Sequence, residues 1–494
     1  MIARRGLFSI ITETRRSMPP AEVSGDAPDC EHPVTFWPGG CMASPAKGHL
    51  TSGLLTGGQG MAAIRPPAAL RSPGAAAKGM AGGSEAAVQR HNRSKTRRRS
   101  VALEYVALAS VPLTLVLGNS MLVPVLPALS RELGVTSFQS SLVITLFSVS
   151  AGLVIPVAGY LSDRFGRKRV MIPALLVYGG GGILAGLGAV WHSYGVLIAA
   201  RALQGIGAAG TAPIAMALVG DLYKDAAESR AQGLIEAANG TGKVLSPIAG
   251  SLLALIVWYA VFWAFPTVCL LSALALLFFI REPKRPSSPQ PLVPYLRAVA
   301  DVFKSDGRWL SASFFAGAAA LFILFGGLFF LSEVLEAPPH RIDGVRKGLV
   351  LAVPLLAMVG TSLATGAVIK KSGKRIRLLI NAGLLLMAVS LGLAIFFHDR
   401  LYVLIALLSA SGVGTGLVLP CLNTMITGAT DKAKRGMITS LYGSLRFLGV
   451  ALGPPLFGWL TGVSRPAVFA AVSALALVAF GLAFFLIKPG EKVR

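Results

Sequence analysis

The amino-acid sequence predicts an all-α integral membrane protein, with twelve transmembrane helices arranged as two six-helix bundles. Three observations lead there. Apolar residues fall in twelve runs of about twenty, each long enough to cross a bilayer as a helix. Basic residues collect in alternate loops. The second half of the chain repeats glycine and proline positions of the first half at one fixed offset.

The runs lie near 105–129, 138–161, 170–190, 194–219, 231–256, 258–280, 310–333, 347–369, 377–397, 401–424, 436–460 and 466–487. The 494-residue chain is 54% hydrophobic and 14% charged, where a soluble domain carries about a quarter charged residues. The runs are too long and too little alternating for barrel strands, which leaves helices as the spanning structure. The formal charge of +24 would in isolation suggest nucleic acid. Its distribution argues otherwise. Past residue 100, about 23 Lys and Arg stand in the even-numbered loops and the C-terminus, and about six in the odd-numbered loops. That asymmetry predicts a multi-pass inner (plasma) membrane protein with both termini in the cytoplasm, and relates the charge to anionic lipid. No nucleic-acid partner is expected. Cys30, Cys41, Cys269 and Cys421 show neither a disulfide framework nor a metal spacing, so no metal is expected.

The repeat has an offset of 207 residues. Gly159 falls on Gly366 and Gly166 on Gly373; Gly205, Gly207 and Pro213 fall on Gly412, Gly414 and Pro420; Gly242 and Pro247 fall on Gly449 and Pro454. Each half holds six spans and starts on the same side, so the repeat is parallel, about an axis along the membrane normal. Asp163 falls on Lys370, so the second copy has lost this acid.

Residues 1–100 are rich in Gly, Ala, Pro and Ser and show no sustained period. They read as a disordered basic cytoplasmic tail, part of it an over-extended start with Met61 or Met80 as alternative beginnings. The first bundle covers 101–280. Residues 281–309 form a polar, proline-rich cytoplasmic linker in which Tyr295–Lys304 suits a short amphipathic surface helix. The second bundle covers 310–488.

Between spans 2 and 3 stands Gly159-Tyr-Leu-Ser-Asp163-Arg164-Phe-Gly166-Arg167-Lys168-Arg169. Gly166 permits a sharp reversal. Asp163 ends span 2, where a carboxylate can meet the positive N-terminus of another helix. The order of glycine, acid and bases exceeds what a basic cytoplasmic loop requires. This segment resembles the loop between helices 2 and 3 of the major facilitator superfamily of transporters, and the resemblance extends over about 101–488. It implies the major facilitator fold, in which two bundles rock about a central cavity, and a gating role for this loop. Asp163 is expected to meet the start of span 11 near Arg435 and Gly436.

In span 4, Arg201 stands within an apolar helix, followed by Gln204, Gly205 and Gly207. An intramembrane charge is a functional candidate by default; the plain alternative is an arginine snorkelling to the interface. The segment resembles the superfamily's second motif, whose arginine is implicated in proton transfer. Span 5 places Glu236, Asn239, Gly240 and Lys243 on one helical stripe, which should face a water-filled cavity. Gly242, Ser246 and Gly250 form an adjacent small-residue face suited to close packing, and Pro247 should kink the helix. This face resembles the Gly-x-x-x-Gly-Pro-x-x-Gly-Gly motif of the superfamily's exporters, with departures at Ser246 and Ser251. Its echo in span 11 is Gly449, Gly453 and Pro454. Arg446 in span 11 is read as a cavity charge, Asn119 in span 1 as a candidate cavity polar group whose plain alternative is hydrogen bonding between helices, and Glu333 as a solvated end of span 7.

There is no P-loop, so ATP is not the direct energy source. A proton gradient, with no cofactor, is expected to drive transport. The resemblance points to a monomeric secondary transporter of the drug:proton antiporter group, exporting a small amphipathic compound by alternating access. Drugs and siderophore-like metabolites are equally open as its substrate. A nutrient importer of the same fold and a non-transporting membrane sensor or scaffold are the alternatives.

Overall fold

The computed structural model describes residues 102–223, 225–282, 292–369, 372–429 and 432–488. The expected tail and both of its cysteines lie outside them. Twelve long helices follow one another: α1 (Ala102–Leu133), α2 (Ser137–Phe165), α3 (Arg167–Val190), α4 (Tyr194–Leu222), α5 (Asp225–Ala254), α6 (Ala260–Phe279), α7 (Leu292–Glu336), α8 (Gly344–Ile369), α9 (Gly373–Phe397), α10 (Leu401–Ala429), α11 (Lys432–Val463) and α12 (Arg465–Leu486). Ten of the described helices are long and apolar enough to cross a membrane by length and composition alone. The other two, α5 and α11, hold corresponding places in the two halves and carry Glu236, Lys243 and Arg446. Large apolar side chains such as Leu153, Phe278, Phe396 and Phe485 point outward and exposed, as a lipid-facing surface requires.

Local chemistry explains several boundaries. Thr136 and Gln139 form a reciprocal capping box at the start of α2. Gly166 has φ of +108°, a conformation open to glycine, and turns the chain from α2 into α3 with no intervening loop. Pro124 and Pro127 interrupt α1 with a 3₁₀ turn at Val123–Val125. Tyr223, just past α4, donates its hydroxyl to Glu104 at 3.0 Å; partial burial, with that bond and the Glu104 charge, holds the phenol proton above its ordinary range.

The second part of the expected linker differs from the sequence reading. Residues from Leu292 onward do not lie as a separate surface helix; they run without a break into the seventh span. No proline interrupts the chain between Pro294 and Pro338, and Gly307, the one glycine between Leu292 and Leu310, costs only about 1 kcal/mol of helix propensity.

The internal repeat is a packing fact. A methyl group added at Gly205 on α4 would stand 2.2 Å from the Phe147 carbonyl oxygen on α2, and one at Gly412 on α10 would stand 2.5 Å from the Pro354 oxygen on α8. Phe147 and Pro354 are themselves 207 residues apart. Likewise α5 approaches α1 at Gly242 and Gly250, as α11 approaches α7 at Gly449 and Gly453. Close backbone approach through small residues is how helices associate where lipid removes the hydrophobic drive.

The halves meet along two long helix pairs, and again where the end of α1 meets the ends of α7 and α8. Between α2 and α11, Thr145 donates to the Ala451 carbonyl at 2.7 Å, Ser444 donates to the Gly152 carbonyl, and Gly159 lies against Ser440. Between α5 and α8, Gly348 lies against Pro247 and Ser251, and Gly240 against Val359. Nearer the basic-loop end of this pair, an added methyl at Gly233 or Gly366 would meet nothing within 4 Å among the described residues.

Candidate transport site and gates

Arg201 does not snorkel. It is fully buried in the first half. Its Nε donates to the Val143 carbonyl at 2.8 Å, Nη1 to Gln204 Oε1 at 2.6 Å, and Nη2 to the Gly118 carbonyl and Asn119 Oδ1, both at 3.1 Å. The guanidinium lies 4.5 Å from the centre of the Phe147 ring. Asn119 in turn donates to Ser148 Oγ at 3.0 Å. These acceptors belong to α1, α2 and α4, so one side chain joins three helices. All four are neutral, and their number explains how the charge is tolerated. Asn119, with 6% of its surface exposed, sits inside this network.

The polar stripe on α5 turns toward the other half. Gly240 on it touches Val359 of α8. Lys243 lies in the electrostatic range of Glu236 on its own helix and of Arg446 on α11. Glu236 is exposed. Lys243 and Asn239 are half-buried. No ion pair joins Glu236 to Lys243 among the described residues, as their spacing of two turns, about 10 Å, requires. Arg446 lies 5.4 Å from the Tyr442 ring centre, and its Nε is buried with no hydrogen-bond partner among the described residues. Pro247 carries no N–H for the Lys243 carbonyl one turn before it, yet α5 continues through it. The Ser246 hydroxyl turns back onto the Gly242 carbonyl, which leaves the small-residue face free to meet α1.

The loop between α2 and α3 is a tied structure. Arg167 Nη2 pairs with Asp163 at 2.6 Å, its Nε reaches Asp221 at the end of α4 at 3.3 Å, and its Nη1 donates to Ser162 Oγ at 2.6 Å. Lys168 donates to the Leu277 and Ile280 carbonyls at the end of α6, both at 2.8 Å. Glu282 accepts from the backbone N–H groups of Arg167 and Lys168, a carboxylate at the positive end of α3. The Arg164 guanidinium stands 5.5 Å from the Phe165 ring. Glu282 was not singled out in the sequence; its place directly after span 6, facing a basic loop, is the available signal. The expected meeting of Asp163 with Arg435 falls outside the described side chains. Gly436 is exposed, and an added methyl there would meet nothing within 4 Å among the described residues. Lys370 lies outside the described residues.

At the opposite end of the molecule the structure reveals a cluster that sequence reasoning missed. Lys347, near the start of α8, is 2% exposed. Its Nζ donates to Glu336 Oε2 and to the Pro124 carbonyl, both at 2.8 Å. Glu336, the last residue of α7, also pairs with Arg131 of α1. Ser332 of α7 donates to the Val123 carbonyl at 2.9 Å. That carbonyl is available because Pro127, one turn on, has no N–H to offer it. Glu333 is not a freely solvated helix end. It is partly buried, beside Ser137 and Lys347, in a cleft shared with Pro127, Ser130, Thr461 and Arg465. The sequence signals were a lysine inside the first turn of an apolar span and the Pro124-x-x-Pro127 pair.

Comparison with known proteins decides the family. A family model described as Major Facilitator Superfamily matches residues 108–386 and 342–494. This chain belongs to the Major Facilitator Superfamily. It is 44% identical over 395 residues to the bacillibactin exporter of Bacillus subtilis (strain 168), a match that covers 79% of this chain and 98% of that one. It is 29% identical over 368 residues to the class C tetracycline resistance protein of Escherichia coli, covering 71% and 87%. The human organic anion transporter TETRAN shares the fold, with a TM-score of 0.61 at 22% identity over 78% of this chain and 99% of that one. A bacterial homologue of the lysosomal transporter Spinster, inward-facing and occupied, has a TM-score of 0.60 at 17% identity, covering 80% and 98%. Like its facilitator relatives, the chain is a multi-pass membrane transporter of the efflux group, acting on a small molecule.

Proposed function

We propose that this facilitator uses a proton gradient to export a siderophore-like metabolite, as a monomer in the plasma membrane with its basic loops and both termini in the cytoplasm. The observation that carries the coupling is Glu236. It is exposed, it makes no hydrogen bond or ion pair among the described residues, and it stands on the α5 stripe that turns toward the other half. An ionised carboxylate at membrane depth must be paired, hydrated or protonated. We assign proton binding to Glu236 for this reason, with Lys243 and Arg446 as the charges that act on it. Each proton entering supplies about 2.3 kcal/mol per 100 mV of membrane potential. The high identity to a siderophore exporter along nearly its whole length supports the direction and the substrate class. Two cations against one carboxylate also suit a substrate with acidic oxygen groups. In the state described, the end away from the basic loops is closed by the contacts of Lys347, Glu336 and Ser332. Asp163 and the loop ties around Arg167 gate the cytoplasmic face, and the halves fold as separate units. Uptake into everted membrane vesicles, with siderophores, cationic dyes and tetracycline as parallel substrates, tests this reading. Siderophore accumulation that collapses on adding a protonophore is expected. Accumulation indifferent to the protonophore would remove proton coupling, and movement of dyes alone would overturn the substrate class.

A further inference from the structure

We propose that Lys347 is the latch of the external gate, with Glu336 as its permanent counter-ion and Arg131 as a second hook. The proposal rests on the orientation given above, and the experiment below separates the two. Lys347 and Glu336 belong to the same half, at the facing ends of α8 and α7. Their partners Pro124 and Arg131 both belong to α1 of the other half. When the external end opens, Lys347 must leave the Pro124 carbonyl and Glu336 must leave Arg131, but the Lys347–Glu336 pair travels together. The buried ammonium thus always keeps a carboxylate. The bonds that break are the three cross-half ones, Lys347 to Pro124, Glu336 to Arg131 and Ser332 to Val123.

This arrangement makes the gate depend on charge in a particular way. In the closed state Lys347 is out of water, and an ammonium there is tolerated only while paired. Neutralising Glu336 leaves that charge uncompensated in the closed state alone, because opening hydrates it. The gate should then favour the open state. Removing the lysine charge as well abolishes the penalty, since an apolar side chain is content in the closed interface. A salt bridge that served only to stabilise the fold would not show this reversal.

The reporter is Ser251→Cys. Ser251 is 3% exposed and lies between α5 and α8 beside Gly348, outside the latch. In the full chain with Cys30, Cys41, Cys269 and Cys421 replaced by Ala, the rate of labelling by a membrane-impermeant maleimide is measured in intact cells and in everted vesicles. No substrate is needed. Glu336→Gln should raise labelling from outside on the order of 100-fold. Adding Lys347→Met should return it to within about tenfold of the parent. Arg131→Gln, at a mostly exposed side chain, should raise labelling by about tenfold or less, and it keeps the test open if Glu336→Gln fails to insert. A rise seen only in everted vesicles would support the latch and overturn the orientation. Unchanged labelling in Glu336→Gln and Arg131→Gln, or a double variant as reactive as the single one, would overturn the latch, even if melting temperatures fell.

Discussion

Replacing Gly205 by alanine tests the packing that positions the buried arginine. An added methyl would stand 2.2 Å from the Phe147 carbonyl oxygen, 2.8 Å from Ser150 Cβ and 3.0 Å from the Phe147 carbonyl carbon. Ordinary contact needs about 3.4 Å, so α2 and α4 must separate by roughly 1 Å, with overpacking costs of about 1–3 kcal/mol. The Arg201 Nε bond to Val143 crosses the same interface at 2.8 Å. Lengthening it by that amount takes it beyond hydrogen-bond range, and a bond from a charged donor is worth about 1.5–3 kcal/mol. Gly205→Ala should therefore cost about 3–6 kcal/mol in all. Gly412→Ala, the repeat-related change, meets a carbonyl at 2.5 Å but has Leu408 where Gly205 has Arg201, and should cost only the packing share. Gly233→Ala meets nothing within 4 Å and should be neutral or stabilising by up to about 1 kcal/mol. Thermal melting of the three purified variants in one detergent gives the order. Equal melting of Gly205→Ala and Gly233→Ala would refute the reasoning.

Two further outcomes follow from the gate and the halves. Asp163→Asn removes the acid from the Arg167 cluster and should slow transport in reconstituted vesicles by about tenfold or more, with membrane insertion unchanged; a wild-type rate would remove its gating role. Halves divided near Pro289 and co-expressed should assemble into a transport-competent complex, measured by co-purification and uptake, whereas failure of both would join the halves into one folding unit.

The fold was legible because bilayer thickness forces long apolar runs, and because the repeat leaves Gly205 and Gly412 at positions where only glycine lets helices touch. The polar stripe on α5 was legible for a related reason: Glu236, Asn239 and Lys243 interrupt an apolar span at helical spacing. Two things were hidden. The sequence shows Arg201 as an intramembrane charge but not that four neutral acceptors bury it within one half, since Val143 and Gly118 contribute only backbone carbonyls. Lys347 and Glu336 looked like ordinary residues at the margins of spans. Their importance depends on Pro124 and Arg131, more than two hundred residues away in sequence, and only the closure of one half on the other brings them together. The continuity of α7 through the second part of the expected linker was masked by composition, because charged residues near 297–308 mark exposure and say nothing against a helix.

The central claim is that Glu236 couples proton entry to export. The direct measurement is siderophore accumulation against a gradient in everted vesicles, wild type beside Glu236→Gln, with substrate binding and downhill exchange measured on the same proteins. The account predicts that Glu236→Gln loses proton-driven accumulation and its dependence on pH, while binding and exchange persist. Accumulation against the gradient by Glu236→Gln with an unchanged pH profile would contradict it and leave Glu236 a structural residue.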